Sequence, residues 1–333
     1  MLDTSIVNVA LPSIQRDLAL APQVLAWIVN AYVLAFGALL LLTGRVADTV
    51  GRRTMFVLGA GLFTLGSLVA GTAPSEAALI AGRLVQGIGA AALSPAAMAL
   101  LLVTFPGTHR ARAMSAWGAA STLGGATGVV AGGLLTGAPG WPSVFFATVP
   151  LAAAAALLAP RLLPSTPGAG AARRFDVVGS TTITAAVLAL SYAALSLPEH
   201  GWTSAHAAGG ALVAAALVLA FVRVERSAPD PLVPLALFHS RVLSAGVAVA
   251  VLGGAARAST FVLIALFLQQ AVLLAPAVAG FAMLPTSLAG LAVSVLVLPR
   301  VLRRIGAERS MVLGLVVLAL GHLYLMLEPT ELV

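Results

Sequence analysis

The sequence predicts an all-α integral membrane protein with about eleven transmembrane helices. Three observations predict it. The 333 residues are 60% hydrophobic and only 9% charged, against roughly 25% charged in a soluble domain, and the mean hydropathy is +1.05. Apolar runs long enough to cross a bilayer as helices recur along the chain. Arginines collect in alternate gaps between those runs, as the positive-inside rule requires of cytoplasmic loops.

The segments run over 1–14, 23–43, 55–72, 77–104, 113–136, 143–160, 177–197, 207–224, 243–268, 277–298 and 310–327. The first is incomplete, because Leu2 to Leu11 supplies about half of a span. Met1 is followed at once by this apolar helix, with no basic n-region or cleavage site. With the first segment running outward, the inside loops hold Arg45, Arg52 and Arg53; Arg110 and Arg112; Arg161, Arg173 and Arg174; Arg223, Arg226 and Arg241; and Arg300, Arg303, Arg304 and Arg309. The outside loops hold Arg16, with Asp17, Glu76, Glu199, Glu328 and Glu331. This asymmetry orients the chain with its N-terminus in the cytoplasm.

The longest polar break, 161–176, contains Pro164, Pro167 and Gly168 and reads as a cytoplasmic linker after a six-helix unit, 1–160. The segments 177–224 then form a helix pair, 225–242 a cytoplasmic loop, and 243–333 a further, partial helical half. A six-helix unit followed by a linker is the pattern of a transporter built from repeats.

Composition excludes several classes. The net charge is +7 and the isoelectric point about 11.3, yet no continuous basic stripe exists for nucleic acid. Cysteine is absent and the five histidines are scattered, so disulfides, thiol chemistry and metal-ligand spacing are missing. There is no G-x-S-x-G, phosphate-binding loop, H-E-x-x-H or carboxylate pair. The chain therefore reads as no enzyme, with no cofactor and no resident metal, and its energy source as an ion gradient rather than ATP.

Four stretches carry chemistry. Gly44-Arg45-Val46-Ala47-Asp48-Thr49-Val50-Gly51-Arg52-Arg53-Thr54 packs charges and glycines into a hinge between two apolar runs. Gly44 and Gly51 permit tight turns there, and Asp48 can accept hydrogen bonds from arginines or a helix N-terminus. Gly82-Arg83-Leu84-Val85-Gln86-Gly87-Ile88-Gly89 puts a guanidinium within a span, where an unpaired charge is costly. Snorkelling of Arg83 to the surface is the alternative. Gly118, Gly124, Gly128, Gly132 and Gly133 mark the fifth segment, either as a bend or as small-residue packing. Leu2-Asp3-Thr4-Ser5-Ile6-Val7-Asn8-Val9-Ala10-Leu11-Pro12 places an acid in the first segment.

These stretches resemble the major facilitator superfamily. The hinge matches its G-x-x-x-D-x-x-G-R-R/K signature, and Arg83 to Gly89 its R-x-x-Q-G-x-G motif. The fifth-segment glycines resemble the antiporter motif G-x-x-x-G-P-x-x-G-G, with Val129 where the proline is expected. Leu2 to Pro12 is similar to the L-D-x-T-x-V-N-V-A-L-P pattern of the 14-helix drug:proton antiporters. Gln269, Gln270, Pro276, Gly280 and Pro285 resemble a further landmark of that group, while Gly140-Trp141-Pro142-Ser143-Val144-Phe145-Phe146 lacks the arginine of its G-W-R-W-I-F pattern. The resemblance implies the major facilitator fold, with about eleven of fourteen helices present and both ends truncated. Segments 177–224 would be the two extra central helices.

By the same resemblance, Asp3 and Arg83 couple protons, with a hydrated terminal position as the alternative for Asp3. Gly44, Asp48, Gly51, Arg52 and Arg53 gate. Gly124, Gly128, Gly132 and Gly133 form the antiporter helix. Arg257 and Gln269 are candidates for the substrate cavity, Arg257 being equally suited to pairing with one of the missing helices. His322 is either a proton relay or structural. The implied activity is proton-coupled export of small hydrophobic or cationic compounds, in multidrug or antibiotic efflux, across a bacterial cytoplasmic membrane. The alternatives are a proton-driven uptake symporter and an inactive fragment. The expected partners are a small-molecule substrate, protons and the lipid bilayer, with the protein a monomer. Pro299-Arg300-Val301-Leu302-Arg303-Arg304-Ile305-Gly306 echoes the hinge in the second half, without an acid matching Asp48.

Overall fold

The computed structural model describes residues 1–107, 109–137, 139–165, 176–201, 203–274, 278 and 281–327. Among them there is no strand. The helices are α1 (Leu2–Asp17), α2 (Pro22–Val50), α3 (Arg52–Gly71), α4 (Glu76–Thr104), α5 (His109–Gly137), the short α6 (Pro142–Phe146), α7 (Val149–Leu162), α8 (Val177–His200), α9 (Ala205–Ser227), α10 (Arg241–Leu266), α11 (Leu284–Ala292) and α12 (Leu298–Leu327). Wide π turns at Phe267–Ala271 and Val293–Val297 follow α10 and α11.

Eight helical stretches among the described residues are long and apolar enough to cross a membrane. One of them, Leu284–Tyr324, is 41 residues long and takes in two of the segments read from the sequence. Gly306, at φ 76° and ψ 174°, interrupts it. The outer surface suits lipid: Leu157 is 71% exposed and Leu212 72%, at positions where a soluble protein would present charge.

Helix starts follow local chemistry. Ser75, Asp176, Ser204 and Ser240 each accept a hydrogen bond from a first-turn N–H of α4, α8, α9 and α10, satisfying donors that lack an intrahelical partner. The segment expected over 143–160 is divided at Ala147–Thr148. Pro150 stands at the start of α7, where its missing N–H costs nothing. The hinge expected over Gly44–Thr54 is corrected to one residue. α2 continues to Val50, and Gly51, at φ 98° and ψ 135°, alone turns the chain into α3. Nothing before Gly51 stops the helix, and Ala47 packs with Met55, Ala92 and Ala96. Gly44 lies inside α2 and serves no turn.

The helices gather into two compact units. One comprises 11–106 and 139–235. In it α2 and α3 both pack on α4, α6 and α7 pack on α3, and α8 joins α9 and α2. Glycines bring these backbones together: a Cβ on Gly66 would stand 2.5 Å from the Gln86 nitrogen, and one on Gly89 2.4 Å from the Phe63 nitrogen. Close approach of this kind is how helices associate in lipid, where apolar burial supplies little drive. The other unit comprises 1–10, 107–138 and 236–333, with α11 and α12 packed on α5 and α10 on α12.

Candidate functional site

Arg83 sits at 0% exposure in the first of these units, and every group around it comes from the helix crossings just described. Its Nε donates to the Ile28 carbonyl of α2 at 3.1 Å, and its Nη1 to Gln86 Oε1 at 2.8 Å. The guanidinium lies 4.5 Å from the centre of the Tyr32 ring, a cation–π contact. Gln86 Nε2 donates to Ser67 Oγ of α3 at 2.8 Å, and that hydroxyl meets Thr148 Oγ1 at 3.0 Å. A polar chain thus runs from α2 through α4 and α3 to the α6–α7 junction. Arg83 is held inside, which removes the snorkelling alternative.

The R-x-x-Q-G-x-G spacing has a packing reason. Residues three apart share a helix face, so Gln86 meets Arg83. Gly87 lets the neighbouring helix approach: a Cβ there would lie 2.5 Å from the Tyr32 carbonyl oxygen. Ser67 and Thr148 were not singled out by sequence, because single hydroxyls in apolar runs carry no spacing signal.

At the hinge, Arg52 Nη2 lies 3.4 Å from Asp48 Oδ1, with the side chains 34% and 40% exposed. Arg53 Nη1 donates to the carbonyls of Pro160 and Leu163 at 3.3 and 3.4 Å. The start of α3 is thereby tied to the end of α7. Nε of Arg45 is buried and has no hydrogen-bond partner among the described residues. Thr43 Oγ1 donates to the Ala91 carbonyl at 2.6 Å, pinning α2 to α4 just before the hinge. Gly44 is not crowded, since the nearest atom to an added Cβ is Pro95 Cβ at 3.7 Å.

In the other unit, the α5 glycines meet the helix that carries Asp3. A Cβ on Gly128 would stand 2.7 Å from the Leu2 carbonyl oxygen, and one on Gly132 2.9 Å from that of Ile6; Gly124 faces Leu2 at 3.4 Å. Spaced four apart, these three form one stripe. Gly133 is half-buried on the same helix. α5 runs as one helix over His109–Gly137, and these glycines serve close contact with the first helix. Asp3 is 6% exposed, which removes the reading of it as a hydrated terminal residue. The side chains of Arg257 and Gln269, the two candidates for a substrate cavity, lie outside the described residues. His322 meets Thr260, with Nε2 and Oγ1 2.6 Å apart.

A family model described as Major Facilitator Superfamily matches residues 1–330. The cephamycin export protein CmcT of Amycolatopsis lactamdurans is 38% identical over 325 residues, covering 96% of this chain and 66% of the relative. The puromycin resistance protein pur8 of Streptomyces alboniger is 39% identical over 334 residues, covering 99% and 65%. The multidrug resistance protein Stp of Mycobacterium tuberculosis is 38% identical over 325 residues, covering 97% and 60%. The chain spans 60 to 66% of the length of these curated relatives.

Proposed function

The chain belongs to the major facilitator superfamily, and on that premise we propose that it exports small hydrophobic or cationic compounds, antibiotics among them, in exchange for protons. The observation that carries the reading is the buried acid Asp3, on the helix that packs against the α5 glycine stripe. An ionisable side chain held inside a membrane bundle is a functional candidate by default. Cephamycin export, puromycin resistance and multidrug resistance in the relatives support export as the direction and drug-like small molecules as the substrate class.

In this reading Asp3 carries the proton. Arg83 keeps the α2–α3–α4 crossing intact while the bundle changes state. The Asp48–Arg52 pair and the Arg53 ties form on one side of the cycle and break on the other. Proton and substrate each bind one state better, which is exchange by population shift. The chain order is an N-terminal half over 1–160, a linker over 161–176, two central helices over 177–224, a loop over 225–242 and part of a second half over 243–333. The arginine distribution supports a bacterial cytoplasmic membrane with the N-terminus inside. The protein works as a monomer.

The test is efflux from cells loaded with a fluorescent cation such as ethidium, or challenged with puromycin. Expression of the protein lowers the retained ethidium and raises puromycin tolerance, and Asp3→Asn abolishes both at equal expression. Efflux unchanged by Asp3→Asn would sink the proton role of Asp3.

A further inference from the structure

The echo at Pro299 to Gly306 sets arginines before a glycine but carries no acid. At the first hinge the charges are answered from within the chain. Asp48 meets Arg52, and the Pro160 and Leu163 carbonyls accept from Arg53. At the second, Gly306 interrupts α12 at φ 76°, and Arg300, Arg303 and Arg304 stand in the turns before it. Arg300 Nη1 donates to the Leu296 carbonyl, and Arg303 Nε to that of Pro299 at 3.3 Å. Those carbonyls lie one turn back along the same stretch and bring no countercharge. Among the described residues no carboxylate lies within ion-pair reach of these three arginines. Glu308, beyond Gly306, is the one acid in 236–327.

Arg300 and Arg304 are four residues apart and share a face of α12. Helical side chains lean toward the helix N-terminus, here toward the wide turn Val293–Val297. The two arginines border a cavity of about 250 Å³ whose other walls are Leu296, Val297 and Val301. Leu296 is 54% exposed and Val297 45%, so the groove is open along its apolar side. Drug-sized ligands take clefts of roughly 300–1,000 Å³ lined mainly by hydrophobic and aromatic groups. This groove is smaller, and two of its five lining residues are cations.

A ligand that fits it is anionic at one end and hydrocarbon at the other. Guanidinium forks match the oxygens of a phosphate. The aliphatic wall matches an acyl chain, and arginine stems lie along such walls with their heads at the membrane surface. Juxtamembrane basic clusters attract anionic lipid head groups in this way. A zwitterionic head group brings its own ammonium against the arginines, whereas an anionic one does not.

We propose that Arg300 and Arg304, with Leu296, Val297 and Val301, form a binding site for one anionic phospholipid of the phosphatidylglycerol type, whose phosphate takes the place of the acid this hinge lacks. The arginine distribution assigns the site to the cytoplasmic leaflet. Binding itself does not depend on the export reading.

The experiment is native mass spectrometry of the full-length protein released from detergent micelles doped with phosphatidylglycerol or with phosphatidylcholine. The wild type is expected to retain phosphatidylglycerol in preference to phosphatidylcholine. The double variant Arg300→Gln/Arg304→Gln loses charge-assisted hydrogen bonds and is expected to bind the first phosphatidylglycerol about tenfold more weakly. Arg309→Gln, on the far side of Gly306, leaves that binding unchanged. If the double variant does not fold, Arg304→Gln alone gives a smaller loss in the same direction. Equal retention of the two lipids overturns the proposal, as does wild-type retention by the arginine variants. An equal loss in Arg309→Gln overturns it too, since diffuse charge would then hold the lipid. Displacement of the lipid by excess inorganic phosphate would make this a site for the free anion and overturn the lipid assignment. No transport is measured, so the outcome is separate from that of the efflux assay.

Discussion

At the scale of single residues, the Arg83 network makes the sharpest demands on geometry. Arginine offers donors in a fixed fork, whereas lysine offers a point charge. Arg83→Lys cannot reach the Ile28 carbonyl and Gln86 together. It is expected to cost about 1–3 kcal/mol by stranding a buried polar group, read as a lower unfolding temperature in detergent. The glycines give a paired test. Gly87→Ala drives a Cβ to 2.5 Å from the Tyr32 backbone oxygen, an overpacking of about 1–3 kcal/mol. Gly61→Ala meets nothing within 4 Å and is expected to gain up to about 1 kcal/mol from helix propensity. Equal effects of the two would mean that close packing is not what the motif glycines provide. The motif itself was legible in the sequence because it lies on one turn of one helix. Its partners were not: Ile28 is 55 residues from Arg83, and Thr148 81 residues from Ser67, and only the folded crossings bring them together.

At the scale of elements, the hinge separates stability from gating. The Asp48–Arg52 pair is an exposed i,i+4 contact at 3.4 Å, so Asp48→Asn is expected to change stability by no more than about 0.5 kcal/mol. If the pair gates, the same substitution slows efflux several-fold, and the split between the two readouts is the signature. Gly51→Ala forces a side chain into φ 98° and is expected to cost about 1–3 kcal/mol. The sequence read the length of this hinge wrongly, since Arg45 and Asp48 stand within α2. Gly44 and the charged residues look like loop on composition, yet the packing of Ala47 with Met55, Ala92 and Ala96 keeps α2 helical to Val50. The echo at Pro299 to Gly306 was visible as arginines before a glycine. In the structure the likeness extends to the backbone, where Gly306 shares a positive φ with Gly51. The helices that follow Asp176 and Ser204 were legible as apolar runs, though their capping residues were seen only in the structure, while the break at Ala147–Thr148 lies within a run that reads as continuous.

For the whole molecule, the apolar exterior and the arginine pattern make a topology that labelling can read. The chain has no cysteine, so each introduced one reports alone. With the N-terminus inside, Thr72→Cys in intact cells reacts with an impermeant maleimide, and Ser227→Cys reacts only after the membrane is opened. The reverse pattern would invert the orientation. The central claim is exchange of drug against protons. Its most direct test uses inverted membrane vesicles containing the full-length protein, whose lumen corresponds to the outside of the cell. With the lumen made acidic, the account predicts that labelled puromycin or ethidium accumulates inside, that each dose of drug releases lumenal protons, and that collapsing the pH gradient or introducing Asp3→Asn stops both. Drug leaving the acidic lumen together with protons, or accumulation indifferent to the gradient, would contradict it.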